Sequence, residues 1–340
     1  ASGELLRDYN VIISIRHYGD TKNLPYGEKS PEQIAALASA GVLKALADGA
    51  DLVFIACNTA STQYDAIQRA VENAYPGRSQ DVLSIIDASA LRAKEIIDRK
   101  LASSDEARFA VLATPATVRN MAYPRRIAAL YQTELVEQKP ALYPQERWYR
   151  APSKAQSATV ESLTQESRLR LANGKTVHLV QLAPANWVDL IEHGGNLADK
   201  NRAVTRDLNL LFAQFPDGAQ LDGFGYFCTH YPVLDNAIRL ETTNQHRAGA
   251  AMDYIAQGAL MAELFRQRAQ QRLKDHRRTH PPDAAERARL SAHSRASITL
   301  SSDHIEATHR LARTMFPGDP EPTIIHEDFS TELRARKQAR

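Results

Sequence analysis

Short apolar runs alternate with helix-length segments along most of this chain, and that alternation limits its fold more than any other feature. Residues 10–15, 52–56, 82–86, 109–113, 133–137, 177–182 and 221–227 read as strands, several apolar throughout as strands buried on both faces are. Helical segments fall between them. Ser30 and Pro31 start one whose apolar residues Ile34, Leu37, Val42 and Leu46 keep near-helical spacing, and Gly49 closes it. Others are expected over 62–71, 88–99, 187–192, 200–215, 232–240 and 258–272, with 251–255 short and extended. Strands separated by helices of this length form a parallel sheet, so the fold class is α/β.

Two of the strands end on a thiol. Phe54-Ile55-Ala56-Cys57-Asn58-Thr59-Ala60-Ser61 passes from strand to helix at Cys57, and a helix N-terminus favours thiolate over thiol. The second cysteine, Cys228, closes Phe224-Gly225-Tyr226-Phe227 and precedes Thr229-His230-Tyr231-Pro232. Read alone, each cysteine also suits a small buried apolar position. A zinc site from Cys57, Cys228 and His230 lacks a close-spaced ligand pair. Pro25-Tyr26-Gly27 is a tight turn after a loop over 17–24. In the turn from Thr114 to Thr117, two hydroxyls either meet an anion or simply cap a helix.

Composition removes several classes. With 340 residues, the chain has length for two domains. Its 43% hydrophobic and 24% charged content is that of a globular protein, and a net charge of +2 gives no nucleic-acid or membrane footprint. The apolar runs are shorter than a membrane span, and no export signal is visible. Two cysteines in such a chain are expected as reduced thiols in the cytoplasm.

The hexamers Ala56–Ser61 (ACNTAS) and Pro25–Ser30 (PYGEKS), with the pentamer Cys228–Pro232 (CTHYP), resemble the aspartate/glutamate racemase family over roughly residues 10–142 and 177–265. The resemblance implies two doubly wound parallel-sheet domains facing a central cleft. One would comprise residues 1–87 and 232–275, the other 88–231. It implies a cofactor-independent, metal-free racemase of L- and D-glutamate that supplies D-glutamate for peptidoglycan. Cys57 and Cys228 would exchange protons with the α-carbon from opposite faces, and His230 with Glu192 would support the second thiol. Tyr26, Gly27, Asn58, Thr59, Thr114, Thr117, Thr229 and His230 match positions that contact substrate. The family's Asp-Ser-Gly motif is not intact. By its usual distance ahead of ACNT it falls before residue 1, although Ala1-Ser2-Gly3 reads as a displaced remnant; Asp20 is not an obvious substitute.

Two regions lie outside the resemblance. Residues 143–176 scatter Trp148, Tyr149, Val160, Leu163, Leu169 and Leu171 among polar residues, and Asn173-Gly174 signals a hairpin. This insert is expected on the surface, as a homodimer contact or a lid. Residues 276–340 are expected to form a helical extension, with helices over 283–293 and 302–314; its scattered histidines make no metal motif. Rival readings are a racemase of aspartate or another amino acid, and a non-catalytic binding or regulatory protein on the same scaffold. The partner in each case is a small amino acid, with neither nucleic acid nor membrane.

Overall fold

The computed structural model describes residues 14–20, 22–23, 26, 29–138, 162–192, 194–279, 295–300 and 323–326. The first strand is β1 (Ser14–Gly19), later than the expected 10–15; residues 10–13 lie outside the described residues. Its Arg16 and His17 are exposed, so the strand carries polar residues that an apolar-run reading assigns to a loop. Helix α1 (Pro31–Ala47) opens on a capping box: the Ser30 hydroxyl accepts from Gln33 N at 3.3 Å, and Gln33 Oε1 accepts from Ser30 N at 3.0 Å.

Strand β2 (Val53–Ile55) leads through Cys57 to a four-residue helix, α2 (Asn58–Ser61), and then to α3 (Tyr64–Ala74). Strand β3 (Val82–Ser84) pairs with β2 in parallel. It stops two residues before the expected end because the Ser84 hydroxyl caps α4 (Ile85–Leu101), accepting from Ile86 N at 3.2 Å. Val42, Leu46, Ile55, Ala60, Ile67, Val71 and Val82 form the core of this first layer.

The larger sheet has six strands: β4 (Glu106–Ala113), β5 (Leu135–Gln138), β6 (Leu163–Arg170), β7 (Thr176–Ala183), β8 (Leu221–Phe227) and β9 (Ala248–Ala256). Their order is β5-β6-β7-β4-β8-β9. The run β7-β4-β8-β9 is parallel, and β6 joins β5 and β7 antiparallel. Strand β9, expected to return to the first half, instead extends this sheet beside β8.

Helices cover both faces, and β4 shows why. Ala107, Phe109, Val111 and Ala113 pack with α4 and with α6 (Ala122–Leu130). Ala110 and Leu112 turn to the other face, against α8 (Leu197–Phe212) and Ile238 of α9 (Asp235–Asn244). Period-two alternation of apolar residues gives the strand two buried faces. Two shorter helices, α5 (Pro115–Arg119) and α7 (Trp187–Glu192), come after the C-terminal ends of β4 and β7. Helix α10 (Gln257–Thr279) leaves β9 directly.

Both regions outside the resemblance differ from expectation. The hairpin exists: β6 and β7 join through a turn in which Gly174 has φ +82° and its N–H donates to Leu171 O at 2.9 Å. Yet its described part is built into the core rather than placed on the surface, since Leu163 and Leu169 are fully buried. Trp148, Tyr149 and Val160 lie outside the described residues. In the extension, residues 276–279 continue α10, and the other described residues form strands rather than helices: β10 (Arg295–Leu300) pairs in parallel with β1, and β11 (Thr323–His326) with β10. Arg295-Ala-Ser-Ile-Thr-Leu300 alternates and is β-branched, a strand signal that the surrounding Arg/Ala-rich composition masked. The helices expected over 283–293 and 302–314 lie outside the described residues.

Candidate active site

Parallel strands gather their C-terminal ends on one side, and the residues just past β2, β4 and β8 supply the candidate site. After β2, Cys57 occupies the N-cap position of α2 in extended conformation, φ −79° and ψ 120°. The thiol is solvent-accessible yet deep among protein atoms, the signature of a concavity. That crowding raises its pKa. The Ala60 and Thr59 amides and the Thr59 hydroxyl pull the other way, while charge on Cys228 raises it further. The two thiols, 171 residues apart in sequence, therefore lie within electrostatic reach of one another.

After β8, Cys228 is buried, with Sγ 3.7 Å from His230 Nδ1. On the far side of the ring, His230 Nε2 meets Glu192 Oε1 at 2.8 Å. Burial lowers the His230 pKa, but the Cys228 and Glu192 partners outweigh it and raise it to about 10. The ring is thus an imidazolium at neutral pH, with one N–H toward sulfur and one toward carboxylate. Thr229 Oγ1 lies 3.5 Å from the same Nδ1. Glu192 is the last residue of α7, whose start is anchored by Trp187: the indole N–H donates to fully buried Asp207 at 2.8 Å, and the ring meets Tyr231 edge-on.

The threonines form a hydroxyl chain across the layers. Thr59 Oγ1 lies 2.7 Å from Thr114 Oγ1, which lies 2.9 Å from Thr117 Oγ1. Thr114 is the N-cap residue of α5, but its side chain makes no capping bond and bridges the other two hydroxyls instead. Tyr26 donates to Asp20 Oδ2 at 2.6 Å and sits near enough to feel charge on Cys57. Burial and Asp20 together push its pKa far up, so it stays a neutral donor. Gly27 lies outside the described residues, as does Ala1-Ser2-Gly3.

Asn58, which the resemblance matches to a substrate contact, has a buried and fully engaged setting. It is 2% exposed and engaged within the protein: Nδ2 donates to Gln257 Oε1 at 2.7 Å, and Oδ1 accepts from Gln257 Nε2 at 3.0 Å and from the Tyr123 hydroxyl. Gln257, Tyr123 and Ser89 are the residues that sequence reasoning missed. A polar residue directly after apolar β9 was the one available signal. No group of three or more His, Cys, Asp or Glu side chains suited to a metal ion occurs among the described residues.

Comparison with known proteins gives this geometry its context. The Asp/Glu/hydantoin racemase family matches residues 14–190. A glutamate racemase of Lactobacillus helveticus is 34% identical over 219 residues, which are 64% of this chain and 59% of that protein. One from Synechococcus is 32% identical over 66% of this chain and 60% of its own length, and one from Cereibacter sphaeroides 36% identical over 33% and 42%. The match thus spans less than two thirds of these relatives. Among solved structures, the RacE1 glutamate racemase of Bacillus anthracis superposes with a TM-score of 0.60 at 16% identity, covering 96% of this chain and 92% of the other. The Francisella tularensis glutamate racemase in complex with D-glutamate gives 0.59 at 15%, covering 95% and 89%. At such identity the likeness shows the fold. With the family match extending over half of the chain, this protein belongs to the Asp/Glu/hydantoin racemase family.

Proposed function

We propose that the chain is a cofactor-independent amino-acid racemase that interconverts L- and D-glutamate, with Cys57 and Cys228 as its acid and base. The observation that supports this reading is that Cys57 and Cys228 follow strand ends in different sheets that are joined through the Asn58–Tyr123 hydrogen bond and the Tyr123–Phe227 stack. Two thiolates so placed repel, which favours a state with one thiolate and one thiol, the distribution that inversion needs. The surroundings of the two thiols differ: a His230 imidazolium stands beside Cys228, while crowding favours the thiol at Cys57.

In the reaction the thiolate takes the α-proton, and the C–H electron pair passes into the carboxylate as an enediolate. The opposite thiol then delivers its own proton to the other face of the carbon. The base ends as thiol and the acid as thiolate, so the reverse reaction starts from that state. The α-proton of an amino acid is weakly acidic, so the site must hold the developing charge with fixed donors. In this reading the hydroxyls of Thr59, Thr114, Thr117 and Thr229, with the backbone of Tyr26, supply them to the substrate's carboxylates. His230 and Glu192 hold the charge at Cys228. The product D-glutamate would serve peptidoglycan synthesis, in a cytoplasmic homodimer.

One observation favours the rival reading of a non-catalytic homologue. No carboxylate is hydrogen-bonded to Cys57 Sγ among the described residues, and Asp20 accepts from Tyr26 and Asn23 instead. The deciding experiment is incubation with L-glutamate in heavy water, following deuterium at the α-carbon and optical rotation. Inversion with solvent deuterium, lost in Cys57→Ser and in Cys228→Ser by about 10³-fold or more, is expected. Inversion of aspartate alone would shift the substrate. No exchange with any acidic amino acid would leave a binding protein on a racemase scaffold.

A further inference from the structure

The engagement of Asn58 is part of a larger buried assembly that the proposed chemistry does not use. Gln257, first residue of α10, directs its amide nitrogen to Ser89 Oγ at 2.7 Å and Asn58 Oδ1 at 3.0 Å, with the Tyr123 hydroxyl also at 3.0 Å. The Tyr123 hydroxyl donates to Asn58 Oδ1. Asn58, Ser89, Tyr123 and Gln257 are each under 5% exposed. They come from α2, α4, α6 and α10, so this small polar cluster joins the first layer to the six-stranded layer. Buried amides and hydroxyls are costly when unpaired, so a cluster whose members satisfy one another holds its geometry tightly.

The cluster touches both thiol-bearing segments. On one side Asn58 is bonded in sequence to Cys57 and is the first residue of the helix that Cys57 caps. On the other, the Tyr123 ring stacks on Phe227, centroids 3.8 Å apart and planes 20° from parallel. Phe227 is bonded in sequence to Cys228. Its ring lies over Gly225, where a Cβ would approach Cζ to 2.3 Å, so the absence of a side chain there lets the ring lie flat against the strand. A continuous path therefore runs Cys57–Asn58–Tyr123–Phe227–Cys228, with Gln257 clamping its middle.

We propose that Gln257 and Tyr123 are positioning residues: they set the separation and facing of Cys57 and Cys228 by clamping Asn58 and seating Phe227. This rests on the racemase reading for its consequence, though not for its geometry. Transfer to opposite faces of one carbon requires each sulfur at near-attack distance, and an error of about 1 Å costs on the order of 10²-fold. The clamp holds the two sulfurs to that tolerance across a junction between layers. Asn58, matched by its motif to a substrate contact, serves here as the fixed end of the clamp.

The test uses the full chain with Tyr123→Phe, which keeps the stacked ring and deletes the hydroxyl, and Gln257→Leu, which removes the amide. Ser89→Ala removes only an outer partner and should be mildest. For Tyr123→Phe, kcat should fall about 10- to 100-fold in both directions with KM changed less than about threefold. The ratio of α-deuterium exchange to inversion should rise, because one thiol still reaches the carbon while the other is displaced. The rate of Cys57 alkylation by iodoacetamide, read by peptide mapping, should change severalfold. If Tyr123→Phe does not fold, the same readouts on Gln257→Leu and Ser89→Ala decide the matter. A folded variant with unchanged kcat, exchange ratio and alkylation overturns the clamp, as does a lowered melting temperature with all three unchanged. If the unmodified protein exchanges no amino acid, the racemase reading fails. The alkylation arm then still decides the clamp by itself, a changed rate upholding it and an unchanged rate refuting it.

Discussion

The two thiol-bearing strand ends are built on opposite plans. At the end of β8, the sulfur is buried and faces an imidazolium that a carboxylate holds from behind. At the end of β2, the sulfur is open to solvent, caps a four-residue helix, and has amides and one hydroxyl as its favourable surroundings. Among the described residues, the Cys228 end carries its own counter-charge and none is hydrogen-bonded to the thiol at the Cys57 end. The difference lies in His230 and Glu192 at Cys228, and in the Thr59 and Ala60 amides at Cys57.

The sharpest way to break this comparison is to strip the better-supported end. Under the proposed reaction, His230→Ala should lower kcat about 10²-fold, since the hydrogen-bonding cation beside the Cys228 sulfur is gone. Glu192→Gln should do less, because the ring stays while its protonated form loses a partner. If the asymmetry is real, the primary isotope effects of the two enantiomers should diverge in His230→Ala; equal changes in both would refute it. The same group sets the pH dependence. His230 is raised from 6.5 to about 10, so the imidazolium is present below that range and is lost as pH rises through about 10. Its contribution to stability is therefore complete below pH 6.5 and declines between there and about 10, and activity should fall on the same alkaline limb. Urea unfolding at several pH values, compared between the wild type and His230→Ala, checks the sign.

A smaller effect is expected where the strand backbone supports the buried thiol. Gly225→Ala should force the Phe227 ring off its seat and cost about 1–3 kcal/mol of stability. Because that ring leads into Cys228, kcat should drop with little change in KM; an unchanged urea midpoint would mean the ring has another place to go. Thr114→Val should have the smallest effect. It keeps the side-chain shape, removes the hydroxyl that bridges Thr59 and Thr117, and should cost about 0.5–1.5 kcal/mol. Its mark should be a raised KM, since under the proposed reaction the lost donor is one that meets substrate rather than sulfur; a kcat effect alone would assign the hydroxyl chain to positioning Cys57 through Thr59.

How much of this was legible in sequence differs from element to element. The parallel α/β order could be read because apolar runs such as 109–113 have no other stable home than a sheet covered on both faces. Cys228, Thr229 and His230 are neighbours in sequence, so their association needed only a strand end to present them together. Glu192 joined them through its motif, and the structure brings it to His230 from a helix 38 residues earlier. Boundaries were less legible. Ser84 reads equally well as a strand residue or a cap, and the choice depends on where α4 packs. Strands β10 and β11 were hidden because strand propensity in a charged, Arg/Ala-rich stretch is weak without a partner, and β1 is that partner.

Local sequence by itself determined which strand ends carry thiols, which hydroxyls and which imidazole come after them, and that β4, β7 and β8 would run parallel. These properties depend on residue type and on spacing within one or two turns. Tertiary structure alone decided that Asn58 would be clamped by Gln257, that Tyr123 would lie flat on Phe227, and that the two sulfurs would come within electrostatic reach. The Asn58 contacts join residues 65 to 199 positions apart. A single polar side chain carries no local signal of its distant partner; only packing of the layers, which leaves a buried amide no other acceptor, selects it.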